Sequence, residues 1–377
     1  RASTMMLHKF LLFSFLAACY VPNIFSQTSD QLRVLEGLRV DLDLKISIYA
    51  ADIDSPRQLA ETDDGRIYVG SRNSGKIFAI RDTDQNGIID EKILVAENLT
   101  YATGVSIYNG DLFFSEIDKI WKIEEISTKL DSGSTQLPEK ILVTDNLPSD
   151  KWHGWKWIKH DKNGELYTNV GAPCNVCESE DKRYASIIKL NGKSWEYIAR
   201  GVRNSVGFDF HPKSDKLYFT DNGRDWLGDD SPSCELNRVD KEGGFYGFPY
   251  KHATDVMDPE FGMKNTGFDF IDPIAELGAH VAPTGTTFYD GFMFPELNND
   301  LLITLHGSWN RSSKVGYKVI RVSLDSMGNV LSSRDFISGW LSGEDVLGRP
   351  SAPFIMKDGS ILISDDKANI IYRITRG

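Results

Sequence analysis

Asp64-Gly65-Arg66-Ile67-Tyr68-Val69 sets a tight-turn dipeptide directly before a run of β-branched and aromatic residues, the signature of a hairpin corner followed by a buried strand. The pairing returns along the chain. Leu112-Phe113-Phe114 follows Asn109-Gly110, Leu166-Tyr167 follows Asn163-Gly164, and Leu217-Tyr218-Phe219 follows Ser214-Asp215. Leu301-Leu302-Ile303 follows Asn299-Asp300, and Ile361-Leu362-Ile363 follows Asp358-Gly359. Between Ile67, Leu112, Leu166, Leu217, Leu301 and Ile361 the steps are 45, 54, 51, 84 and 60 residues, the size of propeller blades with one large insertion. Each unit opens on a short apolar strand and runs on into a third, such as Lys76-Ile77-Phe78-Ala79-Ile80.

One such meander exposes two edges and an apolar face, so it is marginal alone, whereas a closed ring buries the faces and shields the edges. The expected fold is therefore all-β, a six-bladed β-propeller of four-stranded antiparallel blades forming one domain over residues 27–377. A β-sandwich also has many short strands, but it gives no reason for equivalent turns at roughly 50-residue intervals. The Met257 to Gly278 segment reads as an inserted loop overhanging one face.

The chain has 377 residues, with 42 Lys plus Arg against 54 Asp plus Glu, a net charge of −12. That balance offers no attraction to a phosphate backbone and argues against a nucleic-acid partner. Residues 1–26 read as a signal peptide: Lys9 precedes an apolar run, Phe10 to Ala18, too short to span a bilayer. Two cleavage readings stand. Leu16-Ala17-Ala18-Cys19 has the form of a lipoprotein box, with a signal of 1–18 and a lipid anchor on Cys19 as the one membrane link; Ile24-Phe25-Ser26 suits cleavage before Gln27. Either predicts an exported protein, periplasmic, envelope-associated or secreted.

Three cysteines then remain, an odd number in an oxidising compartment. Cys174-Asn175-Val176-Cys177 is followed by Glu178, which excludes c-type haem attachment, and no second Cys or His pair supplies a zinc site. A disulfide is expected, either 174 to 177 or one of these to Cys234.

Asp82, Asp84, Asn86 and Asp90 surround Gly87 with calcium-loop spacing, although Ile93 stands where an EF-hand carries its bidentate Glu. The alternative is a solvated acidic hairpin turn. A second group of polar segments falls at strand ends: Trp152-His153-Gly154-Trp155, Arg203-Asn204-Ser205, Asn222-Gly223-Arg224-Asp225-Trp226, His280, His306-Gly307-Ser308-Trp309-Asn310-Arg311 and Arg349-Pro350-Ser351. Singly, His153 reads as a packed histidine and Arg203 or Arg349 as an inter-blade ion pair. Together they describe a cationic, aromatic-walled site with one His as base and Arg forks matched to carboxylates.

From Glu36 to Gly377 the sequence resembles the glucose/sorbosone dehydrogenase family of pyrroloquinoline-quinone (PQQ) proteins, with its sorbosone branch most alike. The resemblance rests on Arg203-Asn204-Ser205-Val206-Gly207-Phe208-Asp209-Phe210-His211-Pro212, Gly223-Arg224-Asp225-Trp226-Leu227-Gly228-Asp229-Asp230 with Glu235-Leu236-Asn237, His306 to Arg311, and Ser364-Asp365-Asp366 with Ile371-Tyr372-Arg373. It implies oxidation of an aldose or related sugar alcohol or aldehyde by hydride transfer to PQQ, with His153 as general base and Arg203 beside the quinone carbonyl. Asn204, His306 and Arg349 fall at cofactor positions. The Asn222-Gly223-Arg224 turn matches the segment whose carbonyls hold Ca²⁺ against PQQ. Electrons would pass to an unidentified acceptor. The chain departs from the family at Val206 (Gln), Ser351 (Arg), His306 (Lys in the sugar dehydrogenases) and Cys234 (Asp), and a neutral His weakens a carboxylate site. Two other readings are a non-catalytic carbohydrate- or partner-binding propeller, and a calcium-dependent lactonase-type hydrolase using Asp229, Asp230 and Glu235.

Overall fold

The computed structural model describes residues 27–40, 43–192, 194–264 and 266–377; the signal peptide and Cys19 lie outside them. Six antiparallel sheets follow one another along the chain. Blade 1 is Pro56–Glu61, Ile67–Ser71, Ile77–Arg81 and Glu91–Ala96; blade 2 is Val105–Tyr108, Asp111–Ser115, Ile120–Ile123 and Ile141–Thr144. Blade 3 is Ile158–His160, Leu166–Val170, Ser186–Asn191 and Ser194–Arg200, with Gly244–Phe245 added in parallel at its edge. Blade 4 is Phe208–Phe210, Leu217–Asp221, Ser233–Arg238 and Ala275–Ala279; blade 5 is Pro283–Phe288, Leu301–Leu305, Lys318–Leu324 and Val330–Ser338. Blade 6 takes Pro350–Ile355, Ile361–Asp365 and Ile370–Arg376 from the end of the chain and Leu44–Ala51 from its beginning. That antiparallel pairing ties the two chain ends into one blade and closes the ring.

Each marker identified in the sequence falls at the start of the second strand of its blade, Leu112 one residue in. Those strands are buried along nearly their whole length because each lies mid-sheet and meets a neighbouring blade on either face. Ile67 and Val69 pack with Leu362 and Ile371 of blade 6, while Tyr68, one step out of phase, packs with Val105 and Leu112 of blade 2. The corners before them need left-handed backbone: Gly65, Gly110, Gly164 and Gly359 have φ between 80° and 84°, and Asp215 and Asn299, at corners without Gly, adopt 57° and 65°.

The long insertion falls between the third and fourth strands of blade 4, and it corrects one boundary. Residues 275–278, expected within the inserted loop, belong to the strand Ala275–Ala279, which pairs with residues 233–236 as the fourth strand. Its sequence, Ala275-Glu276-Leu277-Gly278-Ala279, is small and carries a Gly at φ 101°, so it lacks the β-branched signal of the other strands. A helix that the repeat did not announce, Ser29–Gly37, starts on a Thr28/Gln31 capping box and leads to Arg39–Val40 on the edge of blade 5.

Candidate functional site

In a meander whose strands run alternately up and down, the connection entering the first strand and the loop leaving the second share one face of the ring. Residues lining a cavity of about 480 Å³ come from such segments around all six blades, Tyr101 on the connection into blade 2 among them. Blade 1 gives Arg57 and Arg72, the 2–3 connection His153 and Trp155, and the 3–4 connection Arg203 and Asn204. Blades 4, 5 and 6 add Asn222, Gly223 and Asp225, then His306 and Trp309, then Arg349.

His153 sits at φ 53°, and its Nδ1 lies 2.8 Å from the Ala172 carbonyl oxygen. The carbonyl can only accept, so Nδ1 carries the proton and Nε2 keeps the lone pair. Gly171 makes this possible: a Cβ there would lie 2.6 Å from the His153 Cβ. Burial and then the Arg203 charge push the His153 pKa down to about 3, against a partial upward pull from the Ala172 bond, so the ring is neutral at physiological pH.

Arg203 is buried and its guanidinium is held on three sides. Nε donates to the Asn175 carbonyl oxygen at 2.8 Å, Nη1 to the Asn222 carbonyl oxygen at 3.1 Å, and Nη2 to Asn175 Oδ1 and Asp225 Oδ2. Asp221 receives the backbone N–H groups of Arg203 and Asn204, one on each carboxylate oxygen. Elsewhere at the cavity the buried Asp366 gathers Arg57 at 2.7 Å, His306 at 2.8 Å and Arg72 at 3.7 Å. These partners drive its carboxyl far below the usual range although burial opposes them, while burial brings His306 down to about 4. Arg72 lies over the Trp155 ring at 5.2 Å, and Trp155 stacks on Tyr101.

Among the sequence candidates, His153, Arg203, Asn204, Asn222, Gly223, His306 and Arg349 converge on this cavity. Arg224 does not; it turns away to pair with buried Asp258 at 2.5 Å. Asp82, Asp84, Asn86 and Asp90 occupy the outer hairpin of blade 1, where their carboxylates accept N–H groups of Thr83, Asn86 and Gly87. Among the described residues, no group of three or more His, Cys, Asp or Glu could hold a metal. Cys174 pairs with Cys177, and Cys234 is a free, buried thiol at the cavity wall. Asp229 and Asp230 meet Ser312 and Arg311, while Glu235 is buried against Ala253 and Asn237, so these three form no shared cage.

Sequence reasoning missed Arg57, Arg72, Tyr101 and Asn175. A signal for Arg57 existed in the repeat itself: Pro56, Pro283 and Pro350 each start a first strand, and the following residues are Arg57, Thr284 and Ser351. Arg57 and Ser351 border one narrow recess below the cavity, so blade 1 supplies a guanidinium beside the position where blade 6 lacks one.

The donor set suits a planar polycarboxylate. Arg57 Nε, Arg72 Nε and Trp155 Nε1 are buried donors without partners, Asn204 Oδ1 is a buried acceptor without one, and all four residues line the cavity. With Arg203 and Arg349, Arg57 and Arg72 put four guanidinium groups around the cavity of an otherwise acidic protein.

The family model for glucose/sorbosone dehydrogenases matches residues 187–337. An uncharacterised protein of Borreliella burgdorferi is 36% identical over 362 residues, 92% of each chain. The holo form of the PQQ domain of pyranose dehydrogenase from Coprinopsis cinerea superposes with a TM-score of 0.75 at 17% identity, over 90% of this chain and 97% of that one. PQQ-bound aldose sugar dehydrogenase from Streptomyces coelicolor gives 0.61 at 16% identity, over 89% and 99%. At those identities the structures speak for the fold, and the propeller agrees with them. With its six blades, its matched segment and a close relative along nearly its whole length, the chain belongs to the glucose/sorbosone dehydrogenase family.

Proposed function

We propose that this protein is a PQQ- and calcium-dependent oxidoreductase that oxidises an aldose or a related sugar alcohol or aldehyde. The observation that carries the reading is the pairing, on one cavity wall, of a neutral His153 whose Nδ1 is fixed by Ala172 with an Arg203 fixed by Asn175 and Asp225. His153 Nε2 accepts the proton of the sugar hydroxyl as the carbinol C–H leaves as hydride and the C=O forms. A PQQ held in the cavity would supply the two-electron acceptor for that hydride. Arg203 would stabilise negative charge developing on such an acceptor, and its hydrogen bonds to Asn175, Asn222 and Asp225 already fix the guanidinium, so little reorganisation would be needed.

Arg57, Arg72 and Arg349 would hold the cofactor carboxylates, with Asn204 and His306 completing the contacts. Cofactor carboxylates near His306 would favour its protonated form and so recover part of the charge that a Lys would carry. Calcium would bind backbone carbonyl oxygens of the Asn222-Gly223-Arg224 turn, where a hard cation polarises the quinone. An exported location, with an acceptor in the cell envelope, completes the proposal.

The experiment is a titration of cofactor-free protein with PQQ and Ca²⁺, followed by dye reduction with a panel of sugars. Binding of the quinone with sugar-dependent turnover is expected, and absence of both rejects the reading. His153→Ala should bind PQQ and lose turnover; an active variant removes His153 as the base.

A further inference from the structure

Trp152, Trp226 and Trp309 are exposed to 54%, 68% and 66%, whereas Trp157 and Trp340 are packed in the core. All three stand at the mouth of the cavity. Trp152 and Trp309 line it from different segments, the 2–3 connection and blade 5, and Trp226 meets Trp309 edge-to-face at 5.6 Å. Exposing a large indole to water forgoes its burial energy, so three at one rim need a reason. Trp226 adds backbone strain, because a bulky residue at φ 71° is held in the left-handed region.

The two loops that carry Trp226 and Trp309 are laced together, so the indoles are not mobile tips. Asn310 Nδ2 donates to Asp225 Oδ1 at 2.6 Å, Ser312 N to Asp229 Oδ1 at 3.1 Å, and Arg311 pairs with Asp230 at 2.8 Å. Flat apolar faces beside polar edges, here Asn310 and Lys151 at the same cavity, match the C–H faces and hydroxyl edges of pyranose rings. Trp152 packs edge-to-face on His153 at 5.8 Å while Trp226 and Trp309 pair with each other, which gives separate ring-sized platforms and not one continuous stack.

We infer that this rim binds sugar units beyond the one being oxidised, so that the substrate class is an oligosaccharide whose end enters the cavity. This rests on the reading of the cavity as a sugar-oxidising site.

The test begins with cofactor-free protein, titrated by calorimetry with glucose and with the maltose and cellobiose series up to about five units. In one of the two series Kd should fall about tenfold or more between one and three units, the scale of one or two aromatic stacking contacts. Trp226→Ala and Trp309→Ala, which remove exposed side chains, should each reverse that gain about tenfold and lower the oligosaccharide-to-glucose ratio of kcat/KM in PQQ-loaded protein. A Kd independent of length in both series, or a length dependence untouched by both variants, overturns the inference. Turnover of glucose with such a flat Kd leaves sugar oxidation standing and removes the rim; length-dependent binding without turnover of any sugar removes the oxidation and keeps the rim.

Discussion

Asn175 grips Arg203 from both ends of its own residue, accepting Nε on its carbonyl oxygen at 2.8 Å and Nη2 on Oδ1 at 3.0 Å. The same Oδ1 takes the backbone N–H of Asp225 at 2.8 Å, and Nδ2 donates to the Asp225 carbonyl oxygen. Asn175 lies inside the four-residue loop closed by Cys174 and Cys177, so a disulfide loop on blade 3 sets the position of a guanidinium on the 3–4 connection. Asn175 is thus a positioning residue for Arg203.

Asn175→Ala should lower kcat about 10- to 100-fold, the scale of a displaced charge-stabilising donor, while the PQQ Kd changes much less. Steady-state assays at saturating quinone separate the two. Thiol reduction of the Cys174–Cys177 bridge should lower kcat in the same direction. An unchanged kcat in Asn175→Ala would show that Arg203 holds its place without it.

Arg57 should matter for cofactor affinity and for stability together. Its Nη2 meets Asp366, which His306 and Arg72 also contact, and its own Nε is unpartnered toward the cavity. Arg57→Leu removes one anion-binding fork and leaves a buried carboxylate undercompensated, a change costing on the order of 3 kcal/mol. A weaker PQQ titration and a lower Tm are expected, with Asp366→Asn recovering Tm but not quinone affinity in the double variant. Full PQQ affinity in Arg57→Leu would exclude it from the cofactor site.

The pH dependence follows from His153. A base acts in its deprotonated form, and a pKa pushed down from 6.5 to about 3 keeps that form available well below neutral pH. The kcat/KM profile should therefore show no acid limb near 6.5. Burial is the larger cause and the Arg203 charge the second, so Arg203→Met should move the His153 titration upward, an effect NMR of the ring can follow in cofactor-free protein. A downward shift would mean that Arg203 does not act on the imidazole through its charge.

The ring was legible because each blade repeats one local conflict: a corner that needs left-handed backbone, then a strand buried on both faces. Gly65 before Ile67 and Asn299 before Leu301 record the same requirement with different residues. Ala275–Ala279 was not legible, since an outer strand faces fewer packing demands and its small residues resemble a loop. In the site, His153 and Arg203 stood out as unusual residues in recognisable segments. Arg57 and Arg72 come from otherwise ordinary strand ends of blade 1, and only ring closure brings that blade beside Asp366 of blade 6. Asn175 was hidden by its neighbours, because the cysteines on either side drew the reading toward a disulfide and away from the residue between them.

Calcium separates two places in the molecule, and their chemistry predicts different behaviour. In the blade 1 hairpin, Asp82 Oδ2 accepts Gly87 N at 2.7 Å, Asp90 Oδ1 accepts Thr83 N at 2.8 Å, and Arg373 stands 4.0 Å from Asp82. An ion there would displace hydrogen bonds and oppose a guanidinium. At the cavity the Asn222 carbonyl oxygen already accepts Arg203 Nη1 at 3.1 Å, so an ion on the 222–224 turn also faces a guanidinium and gains anionic company only when a polycarboxylate is present; metal and quinone should therefore bind cooperatively. Calcium added to cofactor-free protein is then expected to leave Tm nearly unchanged, whereas calcium with PQQ should raise it, and chelation should abolish quinone-linked turnover. Saturation at 100 times Kd corresponds to about 2.7 kcal/mol, large enough to register as a shift in melting. A rise of that size with calcium alone, lost in Asp84→Ala, would place the ion in the hairpin instead.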